Sequence, residues 1–173
     1  MMYFIDFDRT AFDTDSFVSY LASHPFAQKF NGLPELELAR VLNEAVMAGE
    51  LSFAPGELAP FLYADAAQFL REKENSVMLI TYGNAAFQRA KVESAIYGIP
   101  RISTIYTGEV RKGDYIAPHI GMYGATPTFV DDSVVELEIL AQKCPDAQII
   151  EMRRNSEPGD GRWPVVSSLS DLG

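Results

Sequence analysis

Short hydrophobic runs recur at wide intervals along the chain: Tyr3-Phe4-Ile5, then 77–80 (VMLI), 102–106 (ISTIY), 128–130 (TFV) and 148–152 (QIIEM). Each has the length of one strand, and helix-like sequence lies between most of them. That alternation predicts an α/β fold, a Rossmann-like parallel sheet with helices on both faces. Pro164-Val165-Val166 predicts a short sixth strand.

The interval between the first and second runs is of another kind. It spans about 70 residues, far more than one crossover helix needs. It reads as helices over about 14–23, 35–48, 57–62 and 64–74. Leu38, Val41, Leu42 and Ala45 keep the i, i+3, i+4, i+7 spacing of one helical face. Pro25, Gly32-Leu33-Pro34 and Pro55-Gly56 punctuate the breaks. The last helix, ADAAQFLREKE, is the natural crossover into the second strand. The division expected is therefore an α/β core over 1–12 and 63–173, with a helical cap subdomain inserted over 13–62. The insert begins where the first strand ends, so it is expected to overhang that point.

The polar residues just past each run carry the chemistry. In an open parallel sheet, ligands bind at the C-terminal ends of the strands. The first run delivers Asp6, Asp8 and Thr10, the second Thr81, the third, past a loop, Lys112, and the fourth Asp131 and Asp132. Four carboxylates at one edge repel one another. A hard divalent cation with oxygen ligands resolves the repulsion, and Mg²⁺ is the usual one. DFDRT, LITYG, RKGDYI and FVDDS, in that order and at those strand ends, resemble the four motifs of the haloacid dehalogenase-like superfamily, in its aspartyl-phosphatase branch.

The resemblance implies roles. Asp6 would be the nucleophile that forms an aspartyl-phosphate. Asp8 would protonate the leaving oxygen and then activate the hydrolytic water. Asp6, the backbone carbonyl of Asp8, and the pair Asp131 and Asp132 would hold Mg²⁺, with Asp132 as the direct ligand. Thr81 would bind phosphoryl oxygens, and Lys112 would neutralise charge around nucleophile and phosphate. Arg9, Thr10 and Gly83 are candidates for substrate contact. Arg9 departs from the family pattern, which most often has Gly there.

Each motif also has a bland reading. DFDRT alone is a strand end with an Asp/Thr turn, and Thr81 or the Asp131-Asp132 pair alone is a helix cap. Lys91, ten residues past Thr81, competes with Lys112. A helix rising ~1.5 Å per residue carries it away from the strand end, so Lys91 is expected on a solvated face. Arg111 is expected at the surface. His24 and His119 read as ordinary histidines, Cys144 as structural, and Trp163 as covering a hydrophobic edge.

Composition narrows the class. Lysine and arginine number 14 against 24 acidic residues, a net charge of −10, and 47% of residues are hydrophobic. An acidic surface argues against nucleic acid and anionic membranes. The single cysteine fits a reducing compartment. No basic leader precedes a hydrophobic stretch, and no run approaches ~18 apolar residues. The expectation is a soluble, cytoplasmic, Mg²⁺-dependent phosphomonoester hydrolase whose partner is a small phosphorylated metabolite. Asp8 argues against a dehalogenase, which needs no acid two residues after its nucleophile. A phosphonate hydrolase would need a lysine from the insert, where Lys29 is the only one. A phosphomutase, another phosphotransferase and a non-catalytic phosphate- or metal-binding module stay open. The sequence carries no sign of which ester is used or of oligomeric state.

Overall fold

The computed structural model describes residues 1–23, 26, 33, 35–123, 126–155 and 157–173, and of residues 35, 36 and 39 the backbone alone. His24, Pro25, Lys29, Gly32 and Pro34 lie outside the described residues. Six strands form one parallel sheet: β1 (Tyr3–Asp6), β2 (Val77–Thr81), β3 (Ser103–Tyr106), β4 (Thr128–Asp131), β5 (Gln148–Met152) and β6 (Val165–Val166). Their spatial order is β3-β2-β1-β4-β5-β6. The chain moves outward from β1 to β3, then crosses back to β4 on the other side of β1. This reversal makes β1 and β4 neighbours, in register Tyr3↔Thr128 to Ile5↔Val130.

Side-chain alternation along the strands explains the two-sided packing. Tyr3, Ile5, Val77, Leu79, Val130 and Ile150 join one hydrophobic cluster. Phe4, Ile80, Phe129 and Ile149 join the other. The first is covered by α3 (Ala64–Glu72) and α4 (Ala85–Ala95), through Ala66, Phe69, Leu70, Val92 and Ala95. The second is covered by α5 (Lys112–Ile116) and α6 (Val134–Lys143), through Ile116, Leu137 and Leu140. Cys144 is buried at the end of α6, and Trp163 packs against the same cluster. His119 is exposed.

Between β1 and α3 lie α1 (Thr14–Ser23), α2 (Glu35–Met47) and a 3₁₀ turn at Ala59–Phe61 where the sequence predicts a helix over 57–62. Pro60 is the second residue of that turn and deprives it of one donor. Phe17, Leu21, Leu42, Ala45, Leu51 and Leu58 from this stretch belong to the cluster that contains Tyr3 and Ile5. α2 packs against α4. Among the described residues no helix is long and apolar enough to cross a membrane.

α5 is short, and its seating on α6 depends on Gly113. A Cβ there would lie 2.9 Å from the backbone carbonyl carbon and oxygen of Ile139, closer than carbon tolerates. Gly113→Ala is expected to cost about 1–3 kcal/mol, the usual penalty for overpacking a filled site. Urea denaturation of the two proteins would measure it.

Candidate active site

The reversal of strand order sets Asp6, the last residue of β1, beside Asp131, the last residue of β4. Both are buried, at 4% and 2% exposure. Lys112 comes from the loop after β3 and the start of α5. Its Nζ donates to Asp6 Oδ1 at 2.5 Å and to Asp131 Oδ2 at 2.6 Å. Glu136 on α6 fixes the lysine's backbone. Its Oε2 accepts the Lys112 N–H at 3.0 Å and its Oε1 pairs with Arg111 at 2.7 Å. Asp131 Oδ1 accepts the Ser133 N–H at 2.9 Å, and Ser133 in turn caps α6. Asp6, Asp131 and Asp132 each present a carboxylate oxygen, all within 4.8 Å of one another.

Three carboxylates meet one ammonium, so full ionisation would leave two negative charges uncompensated. Burial pushes the Asp6 carboxyl well above its ordinary range, Lys112 opposes this, and Asp131, Asp132 and Asp8 add to it. Asp132 is pushed up to about 6, by burial first and by Asp131 second. Lys112 stays charged, because Asp131 and Asp6 overcome the effect of burial. Hard oxygen donors with an unbalanced charge of that size suit a divalent cation of the Mg²⁺ type.

Asp8 belongs to a separate set. The loop after β1 folds back on itself, with the N–H groups of Ala11 and Phe12 on the Phe7 carbonyl and that of Arg9 on the Phe12 carbonyl. This turns Asp8 toward α4 and α1. Lys91 Nζ donates to its Oδ1 at 2.5 Å, Thr14 Oγ1 to the same oxygen at 2.8 Å, and Gln88 Nε2 to Oδ2 at 2.9 Å. Burial raises the Asp8 carboxyl, but Lys91 and these hydrogen bonds win, and the group falls below its ordinary value. A pocket of about 190 Å³ is lined by Asp6, Asp8, Arg9, Tyr82, Arg111, Lys112, Asp131 and Asp132. A smaller hollow of about 90 Å³ shares Arg9 and Asp132 with it and adds Tyr63, Arg153 and Arg154. Larger hollows, such as one of about 440 Å³ between Ile120 and Ala147, are mostly apolar and lie away from the carboxylates.

Neither a protein-family model nor a curated protein sequence matches the chain. Solved structures do resemble it. A haloacid dehalogenase-like hydrolase from Burkholderia xenovorans LB400 aligns with a TM-score of 0.69 at 15% identity, over 99% of this chain and 94% of that one. A dehalogenase solved with an intermediate complex aligns at 0.64 and 16% identity, again over 99% and 94%. The chain has the haloacid dehalogenase-like fold. Unknown transcript 4 protein of Saccharomyces cerevisiae shares it more distantly, at 0.52 and 14% identity over 96% and 97%.

Within the haloacid dehalogenase-like fold, four of the residues singled out from sequence converge: Asp6, Lys112, Asp131 and Asp132. Thr81 ends β2 and is buried, with no partner for its hydroxyl among the described residues. Thr10 is fully buried and likewise unpartnered at Oγ1, while its carbonyl accepts from Arg154. Gly83 has φ +119, a conformation glycine tolerates, and its N–H is taken by the Gly108 carbonyl. Arg111 is partly exposed and lies over the Tyr82 ring.

The expectation for Lys91 is overturned. Lys91 is 3% exposed and bound to Asp8, not solvated. Helical rise does carry it away from the strand end, but Asp8 is not at the strand end; the loop has moved the carboxylate toward α4. Gln88, Glu136 and Arg154 also serve the site without having stood out in the sequence. For Gln88, as for Lys91, a signal is present: Gln88, Lys91, Val92 and Ala95 keep the i, i+3, i+4, i+7 spacing and form the buried stripe of α4.

Arg9 has φ 56, in the left-handed region, and pairs with Asp15 while both side chains stay largely exposed. Arg9→Gly and Arg9→Ala both remove that weak pair, so they differ mainly in backbone strain. The glycine variant is expected to be about 1 kcal/mol the more stable in urea melts. Asp132 generates a pH prediction. Protons compete with a cation for a carboxyl that titrates at about 6. Mg²⁺ affinity, read from the thermal shift, is expected to weaken ~tenfold per unit as pH falls below that value. Asp132→Asn is expected to remove most of the Mg²⁺-induced shift.

Proposed function

We propose that the protein is a Mg²⁺-dependent phosphomonoester hydrolase. It acts on a small soluble phosphorylated metabolite, in the cytoplasm, through an aspartyl-phosphate on Asp6. The observation that carries this reading is the trio of Asp6, Asp131 and Asp132, whose oxygens lie within 4.8 Å against a single ammonium. Displacement of halide by a carboxylate needs the nucleophile but gives no reason for two further carboxylates beside it. Phosphoryl transfer does, since it gathers negative charge that a cation must offset. Mg²⁺, held by Asp6, Asp132, Asp131 and the backbone carbonyl of Asp8, would supply that charge stabilisation and orient the phosphoryl oxygens.

The chain's own residues then divide the work. An Asp6 oxygen attacks phosphorus as the ester P–O bond breaks. Lys112 favours the ionised form of the Asp6 carboxyl against burial and neutralises part of the incoming charge. The unpartnered Thr81 hydroxyl donates to a phosphoryl oxygen. Asp8, ionised at rest, takes up a proton from solvent before the transfer and gives it to the departing oxygen. It then takes one from the water that attacks phosphorus, and the bond to Asp6 breaks to release phosphate. Arg9 and the hollow beside it, with Tyr63, Arg153 and Arg154, receive the part of the ester that is not transferred. The helices over 13–62 act as the cap above it. Transfer to a second substrate's hydroxyl instead of water would use the same residues.

The expected outcome is Mg²⁺-dependent release of inorganic phosphate from an aryl phosphate. Asp6→Asn should abolish it with the thermal melt unchanged in shape, because the amide keeps the form of the side chain but cannot be the nucleophile. Phosphate release by the variant at the wild-type rate, or halide release from a 2-haloacid by the wild type with no phosphate release, would overturn the reading.

A further inference from the structure

We propose that Lys91 is a positioning residue: it fixes the Asp8 carboxylate in the one orientation that faces the pocket, and acts on the reaction only through Asp8. This rests on reading Asp8 as the group that gives and takes the proton. Lys91 Nζ sits 5.5 Å from the Phe7 ring, 5.6 Å from Phe12, 5.7 Å from Phe17 and 5.5 Å from Phe87. Its anionic partner is Asp8, at 2.5 Å from Oδ1. A lysine in such a box is costly to bury, and packing alone would be served as well by an apolar side chain. The charge is there for the carboxylate.

Exposure separates the two partners. The Lys91 side chain is 4% exposed and that of Asp8 is 28%. The carboxylate can be reached from the pocket and the ammonium cannot, so Lys91 has no route to substrate of its own. The anchoring is also directional. Lys91 and Thr14 occupy Oδ1 while Gln88 occupies Oδ2, so both oxygens are tied and the plane of the carboxylate is set. The rings that surround the ammonium come from the loop after β1, from α1 and from α4. They attract the cation through their faces and keep water from competing with the pair.

The test uses the full-length protein with Mg²⁺ and compares wild type, Lys91→Met, Asp8→Asn and the double variant. Methionine keeps the length of the side chain and suits the aromatic box. On an alkyl phosphate ester, whose leaving oxygen needs a proton, Lys91→Met is expected to lower kcat by about tenfold or more with little change in KM. On an aryl phosphate, which departs more easily, the loss is expected to be much smaller. The double variant should be no slower than Asp8→Asn alone. Equal losses on the two esters, or losses that multiply in the double variant, would overturn the proposal.

Thermal melts without substrate complete the cycle. Lys91→Met leaves the partly buried Asp8 without its cation and Asp8→Asn leaves the buried Lys91 without its anion, so each should lose several degrees, and the double variant should regain most of that. Additive losses would show that the pair does not couple and would also overturn the proposal. This arm holds if wild type hydrolyses no ester, so failure of the functional reading is distinguishable. If Lys91→Met does not fold, Gln88→Met removes the anchor on Oδ2 and should give the same ester-dependent loss, smaller in size; a loss equal on both esters would again count against the proposal.

Discussion

Lys112 Nζ lies within 2.6 Å of two buried carboxylates that end adjacent strands. Without that ammonium, Asp6 and Asp131 would face each other in a region of low dielectric with nothing between them, and parallel pairing of β1 with β4 would bring like charges together. Much of the surrounding architecture serves to deliver this one group. The chain leaves β3, turns through Arg111, and starts α5 at Lys112 itself. Glu136 accepts the lysine's backbone N–H and pairs with Arg111 at the pocket wall. Gly113 lets α5 settle directly onto the Ile139 backbone. A bulkier residue there would lift the helix and withdraw the ammonium from both carboxylates together.

A second lysine does for Asp8 what Lys112 does for Asp6, and the two do not overlap. The separation originates in the loop after β1. Its hydrogen bonds return the chain to the Phe7 carbonyl, and Arg9 takes up a left-handed conformation to allow this. Asp6 and Asp8 are two residues apart in sequence, yet they are held by different lysines reached from different elements. Tight folding of a short loop thus divides one acidic motif into two electrostatic environments.

Most of the fold is legible in the sequence because its signals are local. Each strand is a short apolar run that ends in a polar residue, and the strand-end carboxylates are explained by placing those ends together. Asp6, Lys112, Asp131 and Asp132 can be assembled that way, since each comes directly after a strand or from its loop. Lys91 cannot. Its role depends on where a side chain two residues past the strand is turned, which is set by the loop's hydrogen bonds and not by any periodic pattern. A stripe reading of α4 does show Gln88 and Lys91 on its buried face, and a buried lysine demands a carboxylate. Glu136 escapes a sequence reading for a related reason: it holds a backbone N–H from within α6. Arg154 follows the end of β5 by two residues, but its partner at the site is a backbone carbonyl, which no side-chain pattern announces.

The acidic pair in DFD therefore does not present one problem of repulsion but two separate problems of compensation. Asp6 shares Lys112 with Asp131 and lies near Asp132, so its charge is under-compensated and burial drives it up. Asp8 has Lys91 beside it, with Thr14 and Gln88, so its charge is met and the group is driven down. Burial raises both groups; at Asp6 it wins, because Lys112 is shared with Asp131 and further carboxylates add to it, and at Asp8 Lys91 and the hydrogen bonds overcome it. Ionisation of Asp6 is thus sensitive to any cation that joins the trio, while ionisation of Asp8 is already secured by protein donors. A site built this way can ionise Asp6 when a cation binds without altering Asp8.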